Sequence, residues 1–336
     1  MQMDADILST DFQVETVFLE QDKSKLLYLR GIWRALSTIV KRRYYRRILI
    51  WFADYHAAPI VLLSRLLRKQ SYIFIGGYDA VCYPEFAYGV YHSKFRGFLA
   101  RLALRHCTHI IANHQALLSS RNTYYTLASH ADGVYQMIPG MGTPASVVYN
   151  AVAASPPSEF PATRTRQILT VGSTPRLQDF YNKGFDLLAR IAAHRPDFQF
   201  VWVGIRAQYL PELNREFALD TLPNLTIHPF LAPDALHRLM LNSAVYAQPS
   251  ISEGMPNALM EAMLMGCVPV GSNVAGIPTL IGKLGCIVHS RDERALEAAL
   301  DQALASSLDP SEISRSIQSR FNTGIRRDRL LRILSR

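Results

Sequence analysis

A chain of 336 residues has room for two ordinary domains, and 49% hydrophobic residues suffice for their cores. The formal charge of +9 is uneven: residues 23–105 carry 16 Lys/Arg against 3 Asp/Glu, a field suited to nucleic acid, anionic lipid or a phosphorylated substrate. Cys82, Cys107, Cys267 and Cys286 form no C-x-x-C pair and read as buried thiols of a reducing compartment, and neither a signal-peptide pattern nor a window of about 18 apolar residues is present.

In the first half, strands are expected at 14–19, 47–52, 71–75, 109–112 and 146–149, and helices at 25–40, 57–69, 95–106 and 115–128. The run KRRYYRR at 41–47 mixes cations with aromatics. It is either a solvated face or a docking point for anionic lipid headgroups, and no nucleic-acid-binding motif accompanies it. Gly76 and Gly77 follow a strand and permit close backbone approach. Two readings of the next residues stay open: a tight turn with Asp79 as its cap, or a ligand-facing loop. A Pro/Ser/Ala stretch at 151–161 has no periodicity and reads as a linker.

The second half is clearer. Strands are expected at 166–172, 198–204, 225–228, 244–247, 267–271 and 285–288, and helices at 183–194, 209–218, 233–241 and 311–336. Strands alternating with helices imply βαβ units and a parallel sheet, whose ligands bind beyond the carboxyl ends of the strands. Gly172, Gly204, Pro229 and Glu253 all fall at such ends. Glu253 and Glu261 stand eight apart, with Gly254 and Pro256 after the first. Pro256 suits the first turn of a helix, whose exposed N–H groups attract phosphates. No G-x-G-x-x-G with a following acid is present, which argues against a dinucleotide-dependent oxidoreductase. The ten histidines lack metal-ligand spacing, so no structural zinc is expected.

The stretch from Gln248 to Val270, with Pro-Ser before Glu253, Glu-Ala-Met at Glu261 and Gly-x-x-Pro-Val after it, resembles the E-x7-E motif of retaining glycosyltransferases of family 4. The resemblance implies the α/β GT-B architecture, two Rossmann-like domains facing a deep cleft with the last helix crossing back. The expected divisions are 1–152 on the acceptor side, a linker at 153–163, a donor domain at 164–318 and the crossing helix at 319–336. Val148 to Val152 resembles the interdomain hinge, with Ala151 in place of Gly.

The resemblance also implies roles. Glu253 would contact the transferred sugar and Glu261 the nucleotide ribose. Lys183 before Gly184 would meet the diphosphate, with Arg176 standing in for the arginine expected where Ser173 lies; Gly172 and Gly204 would line the same site. Pro229, Phe230 and Leu231 would receive the nucleobase through backbone groups, unless Phe230 is simply a core residue. The stretch Met255 to Leu259, with Asn257 inside it, would present N–H groups to the donor sugar. Gly76, Gly77, Tyr78, Asp79 and Tyr88 are the acceptor-side candidates. The implied reaction needs no metal. It moves a sugar from a UDP- or GDP-sugar to a glycan or lipid-linked acceptor, in the cytoplasm or on the inner face of a membrane. Residues 4–14 resemble the end of the family's first helix, so its first strand and Gly-rich loop are expected to be absent. That leaves a non-catalytic nucleotide-sugar-binding scaffold as the alternative.

Overall fold

Short runs of Ile, Val, Phe and Tyr separated by amphipathic stretches build two parallel sheets. The computed structural model describes residues 2–19, 24–126 and 129–335. Its first half contains β1 (Arg47–Trp51), β2 (Gln70–Ile75), β3 (His109–Ala112), the antiparallel pair β4 (Ser120–Asn122) and β5 (His130–Asp132), and β6 (Ala145–Val147). A four-stranded parallel sheet runs in the order β1-β2-β3-β6. Alternation along the strands splits its side chains between two faces. Ile50, Ile73, Ile75 and Ile110 pack on one side with Val61, Ala100 and Leu104. Tyr72, Phe74 and Ile111 pack on the other with Leu8, Leu330 and Leu334, so the chain's first and last helices cover that face.

The second half contains β7 (Thr165–Val171), β8 (Gln199–Val203), β9 (Leu225–His228), β10 (Ser243–Gln248), β11 (Val268–Ser272) and β12 (Cys286–Val288). They pair in the order β12-β11-β10-β7-β8-β9, all parallel. The chain winds outward from β7 through β9, then restarts on the other side at β10. The β7/β10 junction is therefore the topological switch point, where a crevice opens beyond the strand ends. Trp202, Phe180, Phe185 and Tyr246 anchor the core beneath it.

Four expectations are corrected. Residues 14–19 join no ladder. A cavity of about 960 Å³, lined by Phe12, Val14, Phe18, Ile39 and Ile50 among others, separates them from the free edge of β1. The helix expected at 115–128 is a single 3-10 turn, Gln115–Leu117, followed by β4 and β5; Leu127 and Ala128 lie outside the described residues. There the Asn122 side chain accepts from the Tyr124 and Tyr125 amides at 3.0 and 3.4 Å, a local bond that competes with helix formation. The C-terminal helix is two helices, Pro310–Arg320 and Thr323–Leu334, with Asn322 capping the second through the Ile325 amide; Arg336 lies outside the described residues. Cys82 and Cys286 are only half-buried. A helix at Glu293–Leu304 was missed, although Asp292 caps it and Leu296, Ala299, Leu300 and Ala303 give it helical periodicity.

The two covalent crossings between the halves meet. The Val152 amide donates to the Phe321 carbonyl at 2.9 Å, so the outgoing hinge and the returning chain lie side by side.

Candidate active site

β10 delivers Gln248, Pro249 and Ser250 to the switch point, and Glu253 follows in the loop. Three donors converge on Glu253 Oε1: Lys183 Nζ at 2.6 Å, Ser250 Oγ at 3.1 Å and Gln248 Nε2 at 3.2 Å. Buried Gln248 is itself fixed by the Tyr246 hydroxyl, which donates to Gln248 Oε1 at 3.0 Å. Burial, and then the charge of Glu253, hold the Tyr246 hydroxyl protonated far above its ordinary range. Tyr88 from the other half is pushed the same way by the same two causes.

Lys183 reaches this carboxylate because of its neighbour. Gly184 has φ +78°, and a Cβ there would sit 2.4 Å from the Pro249 carbonyl oxygen. Only glycine permits both the turn and the approach. The helix therefore begins at Phe185, leaving Lys183 outside it in the crevice. Gly172 and Ser173 follow β7, Gly204 follows β8, and all three lie together: a Cβ on Gly204 would meet the Gly172 carbonyl oxygen at 2.5 Å.

Glu261 lies on helix Asn257–Leu264, with Pro256 as its N-cap residue rather than inside the first turn. Its carboxylate is half-buried and accepts from His237 Nε2 at 3.4 Å. Met255 and Leu259 are buried in the core, so they can offer the site backbone groups alone. The Asn257 side chain is held by Asn150 Nδ2 at 3.0 Å. Pro229 and Phe230 lie exposed beyond β9, Phe230 by 76%, while Leu231 leans on the core. A wholly core role for Phe230 is thereby excluded.

The halves touch through glycine. A Cβ on Gly254 would lie 2.0 Å from the Gly76 carbonyl oxygen, and one on Gly77 would lie 3.2 Å from the Gly254 nitrogen. Of the acceptor-side candidates, Asp79 belongs to the turn: it is 1% exposed and accepts from the amides of Gly76, Gly77 and Ala53 at 3.0, 3.1 and 3.1 Å. Tyr78 and Tyr88 meet edge to face, 5.2 Å apart, at the rim. Arg176 is not open to a diphosphate in this arrangement. Its Nε and Nη2 donate to Asp179, Nη1 donates to the Ala87 carbonyl at 2.8 Å, and its carbon lies over the rings of Tyr88 and Tyr78.

Sequence reasoning missed the residues that fix this geometry. Gln248 and Ser250 stood in the recognised stretch, as polar residues at a strand end. Asn122, His114 and Asn150 bridge the halves through the Ile251 carbonyl, Thr279 Oγ1 and the Met255 carbonyl at 2.7, 2.9 and 2.9 Å. The polar run Asn113-His114-Gln115 after β3 was the available signal.

His114 gives a pH prediction. Its Nδ1 accepts from the Ala116 amide, so Nε2 carries the proton toward Thr279, and burial lowers its pKa. An unfolded His, with a pKa of about 6.5, binds a proton that the folded state refuses, so stability falls as pH drops below that value. His56 is lowered by burial and acts with the same sign; His130 and His194, raised by Asp132 and Glu297, act oppositely. The comparison with His114→Gln isolates the effect: its melting temperature should vary less between about pH 7.5 and 5.5 than that of the parent chain. Equal slopes would remove His114 from the interdomain contact.

Residues 165–306 match the family model described as glycosyl transferases group 1. Over 142 residues the chain is 28% identical to the phosphatidylinositol N-acetylglucosaminyltransferase gpi3 subunit of Schizosaccharomyces pombe, covering 40% of this chain and 30% of that protein. Over 113 residues it is 35% identical to the putative colanic acid biosynthesis glycosyltransferase WcaL of Salmonella typhimurium, covering 31% and 27%. The chain thus spans less than a third of the length of either curated relative. Among solved structures, sucrose-phosphate synthase from Thermosynechococcus elongatus superposes with a TM-score of 0.69 at 15% identity, over 95% of this chain and 80% of that one. Anabaena HepE in complex with UDP-glucose does so with a TM-score of 0.67 at 17% identity, over 98% and 88%. A glycosyl transferases group 1 domain occupies residues 165–306, and the whole chain has the α/β GT-B fold.

Proposed function

We propose that this chain is a retaining glycosyltransferase of family-4 type that moves a hexosyl-type sugar from a UDP- or GDP-sugar to a glycan or lipid-linked saccharide during polysaccharide biosynthesis in the cytoplasm. The observation that carries the reading is the convergence of Lys183, Gln248 and Ser250 on one oxygen of Glu253, at the switch point of the second sheet. A carboxylate so preorganised can hold a sugar hydroxyl without reorganising during reaction, and the lysine beside it can take the charge that develops on a departing diphosphate. Glu261, oriented by His237, is suited to a ribose diol. Lys183 and backbone N–H groups would serve in place of a metal. Retention would follow from the leaving phosphate oxygens activating the incoming hydroxyl on the same face. The relatives' names point to sugar transfer onto glycans or a phosphatidylinositol, and the HepE complex favours UDP as the carrier.

The test is calorimetric titration with UDP and GDP, followed by a nucleotide-sugar panel with NMR assignment of the product anomer. Tight binding of one nucleotide and a product of retained configuration are expected. Inversion would refute the retaining mechanism. Binding without turnover would favour the scaffold reading, made credible by the bound state of Arg176. Phe230→Ala should weaken nucleotide binding by about 1 kcal/mol or more, through lost stacking on the base, without altering the melting temperature. Unchanged affinity would place the base elsewhere.

A further inference from the structure

Three helices lie side by side on one face of the first sheet: Lys25–Lys41 against Ala57–Leu66, and Ala57–Leu66 against Lys94–His106. Right-handed connections from β1 to β2 to β3 put the last two on the same face. Their inner sides carry the core residues; their outer sides are also apolar. Leu26, Leu29 and Trp33 are 70%, 61% and 71% exposed on the first helix, Leu66 is 78% exposed on the second, and Phe95 and Phe98 are 64% and 58% exposed on the third. On the first helix these positions follow a spacing of three and four residues and so form one stripe. Between them the three helices carry nine Lys/Arg and no Asp or Glu.

We infer that this face docks on an anionic lipid bilayer, with Leu29, Trp33, Leu66, Phe95 and Phe98 inserted among the acyl chains and the cations at the headgroups. Apolar insertion and electrostatic attraction are the two signals that together give stable peripheral binding. A tryptophan and two phenylalanines beside arginines suit the interfacial zone. A second copy of the chain is a poor occupant. A two-fold contact through this face would oppose cations to cations, with no carboxylate on any of the three helices to relieve them. The face also runs to the cleft rim. The Phe95 ring lies 6.1 Å from Tyr55, Arg96 stacks over Tyr55 and Tyr78, and its Nη1 donates to the Tyr78 hydroxyl at 3.0 Å. A molecule anchored in the bilayer would therefore meet the cleft directly. The run KRRYYRR at 41–47 only continues the charge at the end of the first helix.

The experiment needs neither donor nor acceptor, so its outcome is separate from that of the transfer reaction. The chain is titrated with vesicles of phosphatidylcholine alone and of phosphatidylcholine with roughly a third phosphatidylglycerol, read by co-sedimentation and tryptophan fluorescence. Trp51 is stacked on Phe74 and Trp202 is fully buried, so Trp33 reports the surface. The expected result is salt-sensitive binding to the anionic vesicles only, with a blue shift of the emission. Phe95→Ser/Phe98→Ser and Arg30→Gln/Arg34→Gln should each weaken it at least about tenfold. Far-UV circular dichroism and the melting curve of both variants should match the parent chain. Absence of binding to anionic vesicles, equal binding by properly folded variants, or self-association without vesicles that the variants abolish would each overturn the proposal.

Discussion

Glu253→Gln should lower turnover by about 10²- to 10³-fold while leaving the fold intact, and Lys183→Ala should do the same. The two side chains are 12% and 22% exposed and meet at 2.6 Å, so each is the other's charge partner in a crevice with little competing water. Glutamine fills the volume of Glu253 and keeps the loop, but it presents a neutral oxygen to Lys183, Ser250 and Gln248 and loses the negative charge that the proposed function sets against the sugar. Lys183→Ala leaves Glu253 with its two neutral donors, so the carboxylate stays in place and only the cation is lost. The measurement is kcat/KM with the donor found in the panel, alongside melting curves. Loss of activity with a melting temperature within a few degrees of the parent supports the assignment. Activity near the parent level in both variants would end it.

The largest stability effect is expected at Arg326. Its guanidinium grips Asp4 through Nε at 2.5 Å and Nη2 at 2.9 Å and donates from Nη1 to the carbonyls of Val148 and Tyr149 at 3.1 and 2.7 Å. Arg326 and Asp4 are only 5% and 2% exposed. Removing one member of such a pair strands the other charge away from water, which costs about 3–5 kcal/mol. Arg326→Met should therefore destabilise the chain by that amount in urea titration. Restoring polarity balance with Asp4→Asn in the same chain should recover part of it, because Asn can still accept from Trp51 Nε1, 3.3 Å from the Asp4 carboxylate, without leaving a buried charge. A loss under about 1 kcal/mol in the single variant would show that the site is wetter than its burial implies.

Much of the crevice in the second half was legible because its chemistry is local. Glu253, Gly254 and Pro256 stand within four residues, and Lys183-Gly184 is a dipeptide whose glycine is required by one turn and by one carbonyl of Pro249. Strand and helix positions in the second half followed from strong periodicity. The rest depends on contacts far apart in the chain. Nothing near Arg176 announces that the Ala87 carbonyl will accept its hydrogen bond, nor near Asn122 that the Ile251 carbonyl will. Asp79 stayed ambiguous because a turn cap and a ligand contact use the same residue type at the same place; only burial decides between them. The 115–128 stretch misled because apolar residues at helical spacing were outvoted by one asparagine and a hairpin.

The pairing of Val152 with Phe321 has a kinematic consequence. Because both chain crossings are clasped within one hydrogen bond, the two halves have a single pivot, and any separation must be an angular swing about it. Lever arms then rank the remaining contacts. Those beside the pivot, Asn150 with Met255 and Asn257, barely travel during such a swing. Contacts on a longer radius must slide or part, and the glycine-to-glycine approach of Gly76 and Gly254 has no side chain to obstruct that sliding.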